Sequence, residues 1–135
     1  MSVASIGSGQ VRSRRVDVWI LQVVVALVFL AAGAAKLAAA PFMVQLFDQI
    51  GLGQWFRIVT GVVEIFGAAA LVHPRLASFG GLWLGFTMFC AVLTHLFVLH
   101  TNPAPAIVLG LLNILIAYLR RDDLAWLVRT ATKQI

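Results

Sequence analysis

The sequence predicts an all-α protein: an integral membrane four-helix bundle, with a short interfacial helix between the first two spans and an amphipathic C-terminal tail. Three observations predict it. Of the 135 residues, 61% are hydrophobic and only 11% charged, against roughly half and a quarter in a soluble domain. The apolar residues gather in four runs, at about 16–37, 58–72, 76–99 and 106–119, and a helix needs about 20 such residues to cross the hydrocarbon of a bilayer. The basic residues sit mostly at the ends of those runs, where flanking charges belong. The formal charge of +5 is therefore membrane-flanking and does not describe a nucleic-acid surface. Long apolar runs without alternation exclude a transmembrane β-barrel. Cys90 is the only cysteine, so an intrachain disulfide and a Cys-x-x-Cys redox pair are both excluded. It reads as a small buried hydrophobe.

Residues 1–15 read as a disordered basic tail, Gly/Ser-rich at first and then carrying Arg12, Arg14 and Arg15. The run that follows exceeds the 7–15 apolar residues of a signal peptide, so a spanning helix is the better reading. After Pro41, the residues Phe42, Met43, Leu46, Phe47 and Ile50 recur at helical spacing, with Gln45, Asp48 and Gln49 on another face. Gly51-Leu52-Gly53 ends that pattern, which describes a helix lying in the membrane interface. Trp55 and Phe56 suit the aromatic belt, and Arg57 is placed to snorkel there. His73-Pro74-Arg75 is a tight turn, and His100 to Pro105 a loop. Gly81-x-x-x-Gly85 marks a close helix contact. Residues 120–135 form an interfacial tail. Asp122 or Asp123 is expected to cap its helix, with Leu124, Trp126, Leu127 and Val128 resting on the headgroups.

Basic residues set the orientation. Arg12, Arg14, Arg15, Arg75, Arg120, Arg121, Arg129 and Lys133 fall on one side of the membrane, and Lys36 and Arg57 on the other. The positive-inside rule then places both termini in the cytoplasm. On that topology Lys36 ends the first span, Glu64 lies about 10 Å into the second, His95 about 6 Å from the end of the third, and Asn113 about 10 Å into the fourth. Four helices thus each bring one polar side chain to the outer half of the membrane. Gly33, Gly61 and Gly110 precede Lys36, Glu64 and Asn113 by three residues, and Ala91 precedes His95 by four. Small residues on the same face mark helix contact, so the polar groups point inward.

Glu64 is the strongest candidate, because an intramembrane acid needs a partner, water or a proton. The alternatives are structural: a Lys36–Glu64 ion pair, a snorkelling Lys36, a satisfied core His95, and Asn113 as an interhelical hydrogen bonder. His95 and His100 lie five residues apart and cannot clamp a haem from opposite sides. No metal-ligand spacing or phosphate-binding glycine loop is present, so no cofactor is evident in the chain.

Two short motifs resemble a known family. Gly33-Ala34-Ala35-Lys36-Leu37 resembles the Gly-x-x-Lys-hydrophobic end of the first helix in DoxX-like proteins, and Thr60-Gly61-Val62-Val63-Glu64 resembles their Thr-Gly-x-x-Glu second helix. The resemblance implies a small four-helix protein of the bacterial cytoplasmic (inner) membrane. It also implies a subunit or accessory of a quinone-linked or sulfur/redox-stress oxidoreductase complex, with quinone as ligand. The expected partners are the lipid bilayer, membrane or soluble oxidoreductase subunits and a second copy of the chain; nucleic acid is not expected. The alternative is a non-catalytic scaffold or assembly subunit with a structural Lys–Glu pair. Only Lys36 and Glu64 carry over by motif; His95 and Asn113 rest on depth.

Overall fold

The protein is described by a computed structural model covering residues 3–135, with side chains from residue 14. Six α-helices follow in order: α1 (Val3–Leu37), α2 (Pro41–Ile50), α3 (Gln54–Val72), α4 (Ala77–Thr94), α5 (Ala104–Leu119) and α6 (Arg121–Thr132). A π-helical turn, His95–Leu99, extends α4. The described residues contain no strand. The segment expected to be a disordered tail is helical from Val3 onward, because α1 runs unbroken through it; Met1 and Ser2 lie outside the described residues.

Three stretches are long and apolar enough to cross a membrane: Arg14–Leu37, Gln54–Val72 and Ala77–Leu99. Helix α5 has 16 residues, about 24 Å at 1.5 Å per residue, which is less than the roughly 30 Å of hydrocarbon. It passes the same test only together with α6, from which it is bent by 63°.

Helix α1 packs along α3, α4 packs along α5, and α3 lies against α4. Val25 and Phe29 of α1, Leu71 of α3, Leu84 of α4 and Ile116 of α5 belong to one shared core. The buried positions of α1 (Gln22, Val25, Ala26, Phe29, Gly33 and Lys36) fall one to each turn, with Val25 and Ala26 sharing one. This is the spacing of one helix face. Large apolar side chains such as Phe86, Phe97 and Leu111 point outward, as expected where the surrounding solvent is hydrocarbon. Gly81 and Gly85 pack on α5: a Cβ at Gly81 would lie 2.7 Å from the Asn113 carbonyl oxygen, and one at Gly85 2.9 Å from Ile114 Cδ1.

The turn between α3 and α4 is closed by Leu76 N–H donating to the His73 carbonyl (3.2 Å). At α6 the N-cap position is Arg120, without a side-chain cap. Asp122 and Asp123, expected to cap, sit in the first turn, where their charge favours the positive end of the helix dipole. No residue of α6 is buried, and the Arg75 guanidinium lies 4.4 Å from the centre of the Trp126 ring.

Helix α1 ends in a Schellman motif. Ala40 N–H donates to the Ala35 carbonyl (3.0 Å) and Ala39 N–H to the Lys36 carbonyl (3.3 Å), with Ala39 left-handed at φ 56°. That conformation costs an L-residue about 1–2 kcal/mol and glycine almost nothing. Ala39→Gly is therefore expected to stabilise the protein by about 0.5–1 kcal/mol, read as a rise in melting temperature in detergent.

Candidate functional site

The site begins with two missing side chains. Gly33 on α1 and Gly61 on α3 face each other: a Cβ on Gly33 would lie 3.0 Å from the Gly61 carbonyl oxygen, and one on Gly61 3.1 Å from Lys36 Cβ. That approach brings together the residues three positions further along each helix. Lys36 Nζ donates to both oxygens of Glu64, at 3.0 Å to Oε1 and 2.8 Å to Oε2. The two residues are 9% and 5% exposed, and theirs is the one salt bridge among the described residues. Such a pair is held by geometry, because an unpaired charge in the same place is strongly unfavourable. Lys36 also lies in the last turn of α1, where a cation meets the negative end of the helix dipole.

Arg57 was expected to snorkel outward. It is buried instead, and its Nη1 donates to the Lys36 carbonyl. That carbonyl already accepts from Ala39 N–H, and the guanidinium of the neighbouring helix takes its second lone pair. Arg57 Nε also donates to Gln54 Oε1 (2.6 Å). Gln54 Nε2 in turn donates to Asp48 Oδ1 (2.6 Å) and the Val44 carbonyl (3.1 Å) of α2. This polar chain ties α2 to α3 over the end of α1. The lower face of α2 is apolar, and Phe47 packs edge-on against Phe56, 5.8 Å between ring centres.

Beneath α2 lies a cavity of about 310 Å³, walled by α1, α3, α4, the π-helical turn and the start of α5. Lys36, Glu64 and His95 line it, along with Thr60 and Cys90. Three of the four expected site residues therefore converge. Asn113 does not: it lies fully buried between α5 and α4. Its Nδ2 donates to the Leu109 carbonyl one turn back (2.8 Å), and its Oδ1 is buried without a protein partner. It faces a neighbouring helix, as expected of an interhelical hydrogen bonder, but at the level of Gly81 and Gly85 of α4 and outside the cavity lining. Cys90, expected to be buried, is exposed on α4 at the cavity wall. His95 Nδ1 shares a hydrogen bond with Thr101 Oγ1 (2.7 Å) in the loop before α5.

The chemistry open to this cavity follows from its donors and acceptors. An ammonium has three N–H donors, and Glu64 occupies two of them. Thr60, Thr87 and Thr94 spend their hydroxyl protons on backbone carbonyls of their own helices, so they offer lone pairs to anything bound. The rest of the wall is chiefly apolar, a few convergent polar groups in a hydrophobic cleft, which is the usual make-up of a small-molecule site.

Residues 20–118, which include both charged motifs and the whole cavity wall, match the DoxX-like family. The chain belongs to that family. No curated protein matches it, and no solved structure does.

This DoxX-like protein also has a polar node that sequence reasoning missed. Gln22 of α1 is fully buried; its Nε2 donates to the Leu71 carbonyl (2.6 Å) and its Oε1 accepts from Arg120 Nε (2.8 Å). It lies on the same stripe as Phe29, Gly33 and Lys36, so the spacing that located Lys36 would have found it. It fastens the middle of α1 to the C-terminal ends of α3 and α5, about 20 Å from Lys36 along α1 (1.5 Å per residue), well outside the cavity.

Proposed function

We propose that this DoxX-like membrane protein is a quinone-binding subunit or accessory of a membrane oxidoreductase complex, with the headgroup held in the cavity beneath α2. The observation that carries the reading is the buried Lys36–Glu64 pair standing in a cavity wall beside His95. The remaining N–H of Lys36 and the His95 ring suit the carbonyl oxygens of a quinone. The Glu64 oxygens and threonine lone pairs suit the hydroxyls of a quinol. One site thereby accommodates both redox forms. Reduction takes two electrons and two protons. The electrons come from a partner subunit with its own cofactor, and Glu64 and His95 are the groups placed to pass protons.

In this reading α5 completes a fourth span, both termini are cytoplasmic, and the cavity opens toward the outer side of the bacterial inner membrane. Asn102→Cys is then expected to react with an impermeant thiol reagent from the periplasm; labelling only after the membrane is broken open would reverse the orientation.

A second reading is supported by the way Lys36 occupies both oxygens of Glu64: a non-catalytic scaffold in which the pair only ties α1 to α3. Cys90 separates the two. As the sole thiol and part of the cavity wall, it reports occupancy without any substitution. A quinone that fills the cavity should slow modification of Cys90 by a membrane-permeant maleimide at least fivefold, measured by mass spectrometry of protein in mild detergent. An unchanged rate at saturating quinone favours the scaffold.

A further inference from the structure

A second depression lies beside the cavity. Between α4 and α5 runs an open groove of about 540 Å³, lined only by apolar side chains and glycine. It reaches from Val92 to Leu82 along α4, about 15 Å at 1.5 Å per residue. Its upper end meets the cavity, because Met88 and Ala106 line both spaces. Each is only 6% exposed, so together they form a sill between a polar chamber and an apolar channel. The sill is tightly packed on the α5 side, where a Cβ on Gly110 would lie only 3.3 Å from Met88 Cβ, so a chain crosses it only where the end of the Met88 side chain turns aside. Met88, unbranched and flexible, is suited to yield to a passing chain.

Building on the reading of the cavity as a ligand site, we infer that its ligand is an amphiphile whose polar head sits at Lys36, Glu64 and His95 and whose long apolar chain crosses the Met88–Ala106 sill into the α4–α5 groove. Polarity is divided accordingly. The charged and hydrogen-bonding groups are in the cavity, and the groove has none. The direction also fits: the groove descends along α4 from the level of the cavity, parallel to the helices, as a chain in a bilayer would lie. A small water-soluble ligand would have no use for the sill or the groove.

Any lipid-facing groove fills with hydrocarbon, so the decisive property is coupling between the two sites. Leu111, 65% exposed at the groove, is replaced in the full chain (Leu111→p-benzoylphenylalanine), native membranes are irradiated, and the adducts are weighed. One adduct of discrete mass is expected. Its yield should fall at least fivefold when Lys36→Met and Glu64→Gln are introduced together, and again with His95→Leu alone, which leaves the buried pair in place. Equal yields in all three backgrounds, or a cross-link to a second copy of the chain, would overturn the inference. A coupled adduct whose mass is not that of a quinone would keep the head-and-chain assignment and sink the quinone identity. Loss of coupling while quinone still protects Cys90 would do the reverse.

Discussion

Gly81→Leu is expected to leave no folded protein in detergent, and Gly81→Ala to lower stability by about 1–3 kcal/mol, the usual range for overpacking a tight contact. What a side chain would meet at Gly81 is backbone: the Asn113 carbonyl oxygen at 2.7 Å and the Ala117 nitrogen at 3.0 Å. Neither can turn aside. Helix α5 would have to retreat as a body, breaking the Ser78 Oγ donation to the Ala117 carbonyl (2.9 Å) on the way. Gly85 sits one turn on, and the nearest atom there is Ile114 Cδ1 at 2.9 Å, the far end of a rotatable side chain that also borders the open groove. Gly85→Ala should therefore be milder than Gly81→Ala by a clear margin in thermal melts or in monodispersity on size exclusion. The opposite order would mean that α4 meets α5 in a different register. Within a membrane such close packing carries unusual weight, since lipid tails are as apolar as the side chains and no hydrophobic force presses the helices together.

Much of this arrangement is legible in the sequence, for reasons that differ from element to element. The spans follow from run length, and the Gly33/Lys36 and Gly61/Glu64 pairs follow from a simple rule: small residues and a polar residue on the same face turn that face toward a neighbouring helix. The rule holds at Asn113 too, since Gly110 meets Met88 and Asn113 meets Gly81, both on α4; what it does not give is the level of the contact, and Asn113 packs outside the cavity lining. Arg57 was misread because a basic residue beside Trp55 resembles an interfacial anchor. The free lone pair of the Lys36 carbonyl, which draws it inward, is within reach only once α1 and α3 are side by side. The role of α2 as the roof of a cavity was equally hidden. Its pattern of apolar and polar faces is the same whether the apolar face rests on lipid or on protein. The link from Asp48 through Gln54 to Arg57 decides the matter and depends on tertiary contact. Gln22 is legible by spacing, since it lies in register with Phe29, Gly33 and Lys36.

Removing either member of the buried pair alone is expected to destabilise the protein by about 3–5 kcal/mol, and removing both together to restore most of that loss. Lys36→Met strands the Glu64 carboxylate at 5% exposure among apolar neighbours, and Glu64→Gln strands the Lys36 ammonium. In either case one desolvated charge is left without its counter-ion. In the double variant neither charge remains, and the two side chains keep nearly the same volume. The glycine contact between α1 and α3, with Gly33 and Gly61 each within 3.2 Å of the other's carbonyl oxygen if given a Cβ, survives all three changes. Helix association should then persist, and the melting temperature of the double variant should lie close to that of the parent. Stability alone says only that the pair is coupled, which strut and site both require. The two readings part on ligand. If the pair is only a strut, the double variant should keep Cys90 protection by quinone and full activity in complementation. If Lys36 and Glu64 hold the headgroup, the same protein should fold, melt like the parent and lose both. A double variant with intact protection and activity would remove Lys36 and Glu64 from the site and leave the scaffold reading in front, with His95 and the three threonines still to account for in the cavity.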